Sequence, residues 1–246
     1  GHIKCITNTW ERKTVNVSVC CWCLAGILQT LKKTSKQMPD KYIYLLVDFC
    51  CLVVPFIFTF HKKINFHKQW KHFLIPTVVT ALLFCEWDML FTRWGIWSFN
   101  PRYICGYYIV NLPIEECLFF LFIPYSGVFT YHCITTFYNF DRFAKQSKAL
   151  SVILIVFLVT MAAFNFNRYY TATTFILLAV MLVVLIRLKA WFMPVFYVSF
   201  SLILIPFFIS NGILTGSFLA EPVVSYNASH IIGPRMFTIP VEDTFY

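Results

Sequence analysis

Residues 42–60 read YIYLLVDFCCLVVPFIFTF, a run whose one charged residue is Asp48. At 1.5 Å rise per residue, about 20 mostly apolar residues cross the hydrocarbon core of a bilayer. Runs of the same kind follow at 73–91, 113–138, 150–164, 171–188 and 192–210, and another begins near Pro240. The chain stops at Tyr246, so the last run has only begun. The expected fold is therefore an all-α integral membrane protein with six complete transmembrane helices and the start of a seventh. A chain that stops one turn into an apolar helix leaves backbone groups unpaired in lipid, and reads as truncated.

Residues 1–37 differ in texture. They are polar and Cys-rich, and their one apolar stretch, 15–31, carries Asn16, Ser18 and Gln29. It is a poor span and a poor signal peptide. Met38-Pro39-Asp40 reads as a natural start, so residues 1–37 are taken as a leader, an upstream translated segment or an artificial extension outside the fold.

Composition agrees. The 246 residues are 59% hydrophobic, 20% aromatic and 13% charged, against about 25% charged in soluble domains. The net charge of +9 does not point to nucleic acid, because the Lys and Arg residues sit in short loops between apolar runs. Lys62, Lys63, Lys68, Lys71, Arg142, Lys145, Lys148, Arg187 and Lys189 fall in one set of loops, and Arg93, Arg102, Arg168 and Arg235 in the other. The positive-inside bias puts the larger set in the cytoplasm, so odd-numbered helices start on the outer side of a multi-pass protein of the cell (inner) membrane.

Two short motifs match. Gly106 precedes Pro113-Ile114-Glu115-Glu116 by seven positions, and Gly233 precedes Pro240-Val241-Glu242-Asp243 by the same distance. Gly95-Ile96 and Gly212-Ile213 lie upstream of each. The reading is two related halves, 38–140 with three helices and 141–246 with three helices and the start of a fourth. Both motifs open odd-numbered helices, so they share one membrane face and the halves are parallel pseudo-repeats.

Taken alone, each motif is an ordinary helix start: Pro suits the first turn, and acids suit the positive end of the helix dipole. Neighbouring helix residues point about 100° apart, so Glu115 and Glu116 cannot face one pocket together. A useful pair would join the halves, with Glu115 facing Glu242. Glu86, Asp88 and Asp48 lie toward the same face, so seven of the eleven acids gather there. An ionisable group in a span is a functional hypothesis by default. Ion pairing of Glu86 and Asp88 with Arg93, Arg102 or Arg235 is the competing explanation, and Asp48 reads as a structural hydrogen-bonding group.

Carboxylates in an apolar, aromatic setting suit proton chemistry, because burial and mutual repulsion keep one acid protonated while another is ionised. Aromatic faces stabilise a cation; Trp97, Phe99, Tyr108, Phe119 and Tyr226 lie near the motifs, where an interfacial belt would also place them. Other chemistries lack their residues. The Cys20-Cys21-Trp22-Cys23 cluster has no second ligand pair, and the remaining Cys read as small hydrophobes. His132 lies about 25 Å along its helix from Glu115. His61, His67 and His72 sit in a basic loop, whereas His230, just before the second motif, remains open as a partner. There is no H-E-x-x-H, no G-x-G and no nucleophile elbow. No metal and no cofactor is expected.

Gly95-Ile96-Trp97-x-Phe99-Asn100 and Gly106-x6-Pro113-Ile114-Glu115-Glu116-x2-Phe119-Phe120 resemble the first half of the heterodimeric-type, membrane-embedded lycopene cyclases. Gly212-Ile213-Leu214-Thr215-Gly216, Tyr226 and Ile239-Pro240-Val241-Glu242-Asp243 resemble the second half. In that family the halves are two small subunits or one fused chain, and this sequence resembles a fused bacterial form from about Met38 onward. The resemblance implies redox-neutral cyclisation of the linear ends of lycopene to β-ionone rings, giving γ- and then β-carotene. It implies a carotenoid substrate drawn from the bilayer, and it leaves open association with other carotenoid enzymes or a homo-oligomer. Glu115 with Glu242 is the first choice for acid and base, Glu116 and Asp243 the second, and Glu86 an auxiliary. A transporter or proton-conducting protein using the same carboxylates is the rival reading; a cofactor-binding or assembly protein is the third.

Overall fold

A computed structural model describes residues 40–138 and 143–246. The expectations for residues 1–37, and for Arg142, fall outside the described residues. Among the described residues six helices run the length of a bundle: α1 (Ile43–Thr59), α2 (Trp70–Arg93), α3 (Ile114–Phe137), α4 (Ala144–Phe164), α5 (Tyr169–Arg187) and α6 (Met193–Leu214). All six are long and apolar enough to span a bilayer, and the protein is an all-α integral membrane protein. The last element is one 3-10 turn, Val241–Thr244.

The first and third helices lie within the apolar runs that revealed them, and the others run past one or both ends. The fourth starts at Ala144 rather than at 150, because Lys145 and Lys148 extend its first turns. Long basic side chains lay their stems on apolar surface and keep the charge in water, so such a turn reads as loop in a hydropathy scan. Pro55 sits inside α1. It lacks the N–H that would bond the carbonyl of Cys51. Ser126 of α3 donates to that carbonyl instead, at 2.9 Å, which repairs the helix and joins α1 to α3.

α1 packs chiefly on α3 and α4 on α5, while α6 touches α1, α3 and α4. Six short strands lie at one end of the bundle: β1 (Trp97–Phe99), β2 (Tyr108–Ile109), β3 (Leu112–Pro113), β4 (Val224–Tyr226), β5 (Arg235–Met236) and β6 (Ile239–Pro240). β2 and β3 form a hairpin with Tyr108 opposite Pro113 and Ile109 opposite Leu112. β5 and β6 form another with Arg235 opposite Pro240 and Met236 opposite Ile239. Each pairing recurs at a constant offset of 127 residues, as from Tyr108 to Arg235 and from Pro113 to Pro240. The tip residues Val110 and Phe237, at the same offset, have φ of 61° and 59°.

β1 and β4 pair antiparallel, with Ser98 opposite Ser225, Trp97 opposite Tyr226 and Phe99 opposite Val224. Ser98 and Ser225 stand at the same offset, so the ladder is centred on equivalent residues. The upstream match read in the sequence, Gly95-Ile96 with Gly212-Ile213, does not hold in space. Gly95 follows the end of α2, whereas Gly212 lies within α6. At the common offset, Ile96 corresponds to Val223, and both are fully buried.

Gly106 and Gly233 open the hairpin segments at φ +90° and +106°, where a side chain would meet open space but a strained backbone. Gly106→Ala and Gly233→Ala should each cost about 1–3 kcal/mol, read as similar falls in thermal stability in detergent. A large difference between them would mean that the two hairpins bear load differently.

Candidate active site

Pro113 and Pro240 end the hairpins in extended conformations, φ/ψ −58/146° and −55/141°. Helical geometry starts one residue later, at Ile114 and Val241. The acids therefore occupy the second and third helical positions, where N–H groups lack intrahelical partners. The first acid of each motif turns back to its own hairpin segment. Glu115 Oε1 accepts from the backbone N–H of Cys105 at 2.6 Å. Glu242 Oε1 accepts from the N–H of Ile232 at 2.6 Å and from the Thr171 hydroxyl at 2.5 Å. Cys105 and Ile232 again stand at the common offset. Glu115 and Glu242 are fully buried, and their second oxygens have no partner among the described residues. No contact joins Glu115 to Glu242 among the described residues.

The second acids come within electrostatic range of each other across the molecule instead. Glu116 accepts from Tyr44 of α1 and lies within hydrogen-bonding reach of Asp88 of α2. Asp88 accepts from the Tyr246 hydroxyl at 2.6 Å. Asp243 accepts from Tyr170 at 2.7 Å on Oδ1, and from Asn211 and Tyr226, each at 2.8 Å, on Oδ2. Asp243 lies within electrostatic range of both Glu116 and Asp88. Burial pushes the Asp243 carboxyl up to about 6, against the pull of its donors Tyr170, Asn211 and Tyr226. Burial also raises the hydroxyls of Tyr226 and Tyr246 well above the usual phenol range, so both remain donors.

Aromatic rings wall the cluster. Trp97, Tyr170, Tyr226 and Tyr246 have neighbouring centroids 5.3–6.2 Å apart, and Phe91 stands 5.0 Å from Trp97. Of the aromatics expected to contact substrate, Trp97 and Tyr226 belong to this wall. Phe99 packs beside it, and Phe119 lies against the buried cluster around Tyr44. Tyr108 does not join them: it is half exposed on β2.

Other expectations shift. Glu86 is exposed on the outer surface of α2, while Asp88, two positions on, points inward, so Glu86 is not part of the cluster. Arg102 pairs with Asp40 at 2.6 Å, and no ion pair reaches the seven gathered acids among the described residues. Asp48 is buried, yet neither of its oxygens has a partner among the described residues, against the expectation of a structural hydrogen bond. His132 bonds the carbonyl of Ile64, at the opposite end of the bundle. His230 lies against the Tyr169 ring, tilted by 36° with centroids 5.4 Å apart, rather than against an acid. Cys50, Cys51, Cys85, Cys105 and Cys117 are free thiols, all six described Cys are half-buried, and no group of three metal-ligating side chains occurs among the described residues.

Tyr44, Tyr170, Thr171, Asn211 and Tyr246 complete the cluster and were not singled out in the sequence. Their signal was faint: a hydroxyl or amide at the end of an apolar run, where an interfacial belt also puts such residues.

The sequence model of the lycopene cyclase family matches residues 41–134 and 167–246. The chain belongs to the lycopene cyclase family. The matched segments hold both hairpins, both motifs and every side chain of the cluster, and they leave α4 outside. A bifunctional lycopene cyclase/phytoene synthase of Aspergillus oryzae is 21% identical over 109 residues, which cover 42% of this chain and 19% of that protein. The chain thus spans about a fifth of the length of that curated relative. No solved structure matches the chain.

Glu115→Ala removes the acceptor for the Cys105 N–H and should cost about 1.5–3 kcal/mol, seen as a lower unfolding temperature in detergent. Glu86→Ala, on the outer surface, should leave that temperature nearly unchanged. Equal losses would contradict the hairpin-closing role of Glu115.

Proposed function

We propose that the protein is a lycopene β-cyclase, closing the linear ends of lycopene into β-ionone rings without net redox change. The reading rests above all on Glu116 and Asp88 within reach of each other, with Asp243 in electrostatic range, beside an aromatic wall and on residues that the family model covers. The carotenoid would enter from the lipid of the cell membrane, and no cofactor is invoked.

The reaction needs a proton delivered to a terminal double bond, a shielded cation, and a base that removes a ring proton. Two carboxyl groups within hydrogen-bonding reach must hold a proton between them, since two unit charges 4 Å apart repel by about 4 kcal/mol even at an effective dielectric of 20. The Glu116–Asp88 pair is thus suited to donate. Asp243 receives three hydrogen bonds and no carboxyl partner, which favours its ionised form and suits it to accept. Trp97, Tyr170 and Tyr226 offer π-faces to the cation between these steps. Acids at the first motif positions hold the hairpins, and acids at the second do the chemistry. The two related halves are then 41–134 and 167–246, with α4 as a connector rather than part of the second half.

A transporter would carry its acids along a crossing path. Within the described spans the carboxylates keep to the end that bears the hairpins, which favours a local proton reaction. A second arrangement of the cyclase site keeps Glu115 and Glu242 as acid and base, on the ground that Oε2 of each is buried and unpartnered.

Expression of the protein in lycopene-accumulating bacteria should yield β-carotene; unchanged lycopene beside well-inserted protein would overturn the cyclase reading. Glu116→Gln and Asp243→Asn should each abolish ring formation while the protein still inserts. Glu115→Gln keeps an oxygen for the Cys105 N–H, so a folded but inactive Glu115→Gln would favour the second arrangement. Activity in lipid nanodiscs should fall as the pH drops through about 6, where Asp243 gains its proton. The folded state binds that proton more tightly than the unfolded chain, so stability at this carboxyl is greatest at low pH and is lost as pH rises through about 6. Acid inactivation should therefore precede any acid unfolding.

A further inference from the structure

The hairpin tips carry apolar residues where polar ones are usual. Val110 is 86% exposed and Phe237 is 89% exposed, both with positive φ. A first central turn residue in this conformation is ordinarily glycine, and a β-branched residue there is strained. The same strained, exposed, apolar choice stands at both tips, 127 positions apart.

Two side-chain anchors fix how deep the tips lie. Asn111, next to Val110, donates to the carbonyl of Met89 at 2.9 Å. Met89 lies four residues before the end of α2 at Arg93, so the tip is held about 6 Å back along the helix from its end. Thr238, next to Phe237, donates to the carbonyl of Gly212 at 3.4 Å and bonds the Thr215 hydroxyl at 2.7 Å. Gly212 lies two residues before the end of α6 at Leu214. Both tips thus lie beside the last turn of a spanning helix, not above it. Around the first, Leu90 on α2 and Ile109 are about half exposed, which continues the apolar surface of the spans. Asn100 with Glu221 and Arg102 with Asp40 lie away from the tips; Arg235 donates to the Thr238 carbonyl beside Phe237 at 2.7 Å, where a long basic side chain can keep its charge at the interface.

We infer that Val110 and Phe237 are paired membrane anchors, inserted into lipid at the edge of the hydrocarbon layer. Each stands five residues before a first motif acid, at the tip from which a short strand runs toward it. Lipid gripping the tips would fix the depth of both acid turns relative to the bilayer. This proposal does not depend on the cyclase reading.

The test replaces Val110, Phe237 or Glu221 singly with a dansyl-bearing amino acid in protein reconstituted in phosphatidylcholine nanodiscs. Lipid spin-labelled near the glycerol should quench the probe at 110 and 237, and aqueous iodide should not. The probe at 221 should show the reverse. Iodide quenching at 110 and 237 would mean that the tips stand in water. Quenching by neither agent would mean that a second copy or another protein covers them. Either result overturns the proposal. Hydroxyl-radical footprinting of the unsubstituted protein gives a second measurement: Phe237 should be protected in nanodiscs, and ready oxidation there would also overturn it.

Discussion

A carboxylate that accepts a hydrogen bond from the peptide N–H ten residues behind it closes each acid-bearing segment of this protein. Glu115 does this with Cys105 and Glu242 with Ile232, both at 2.6 Å. The bond ties the start of a helix to the start of the hairpin that precedes it. The backbone supports the same closure, as Ile114 donates to the Tyr107 carbonyl and Val241 to the Pro234 carbonyl. A buried N–H left without a partner is costly in an apolar setting. Once the first acid is committed inward and backward, helix geometry swings the second about 100° away, toward the other half of the molecule.

Much of this was legible beforehand. The spans followed from apolar runs, since lipid demands them. The matched Pro-x-acid-acid motifs, with Gly at a common distance, marked the ends of the two hairpins that stand 127 residues apart. A pairing of acids across the halves, Glu115 with Glu242, was expected too; in the structure the first acids bond their own hairpin segments, and the second acids come within electrostatic range of each other. Sequence alone says that neighbouring acids point apart; it does not say which one the hairpin will claim. That choice depends on a backbone N–H, and backbone groups leave no trace in residue identity. Glu86 misled for a related reason. It and Asp88 share a stretch of α2, and only packing distinguishes the lipid-facing position from the inward one. Tyr44, Tyr170 and Asn211 escaped because one polar group in an apolar run looks like an interfacial residue until its carboxylate partner is in view.

The site combines two environments that ordinarily conflict. Its acids are buried and have no ion-pair partner among the described residues, and burial alone would neutralise them. Hydroxyl and amide donors keep the ionised form within reach for Asp243, whereas Glu116 and Asp88 have each other. Differentiation between otherwise similar carboxylates comes from what surrounds each one: three donors in one case, a second acid in the other. The aromatic side chains serve twice, since Tyr170, Tyr226 and Tyr246 wall the site with their rings and dose its polarity with their hydroxyls.

The fourth helix, which the family model leaves aside, has a topological meaning. A half with three crossings begins on one side of the membrane and finishes on the other. Joined end to end, two such halves would sit upside down relative to each other, and their hairpins could never share a face. One added crossing restores the parity. On the two-half reading, α4 is that crossing: it brings the chain back to its starting side, so that Ser98 and Ser225 can meet as they would between two separate subunits.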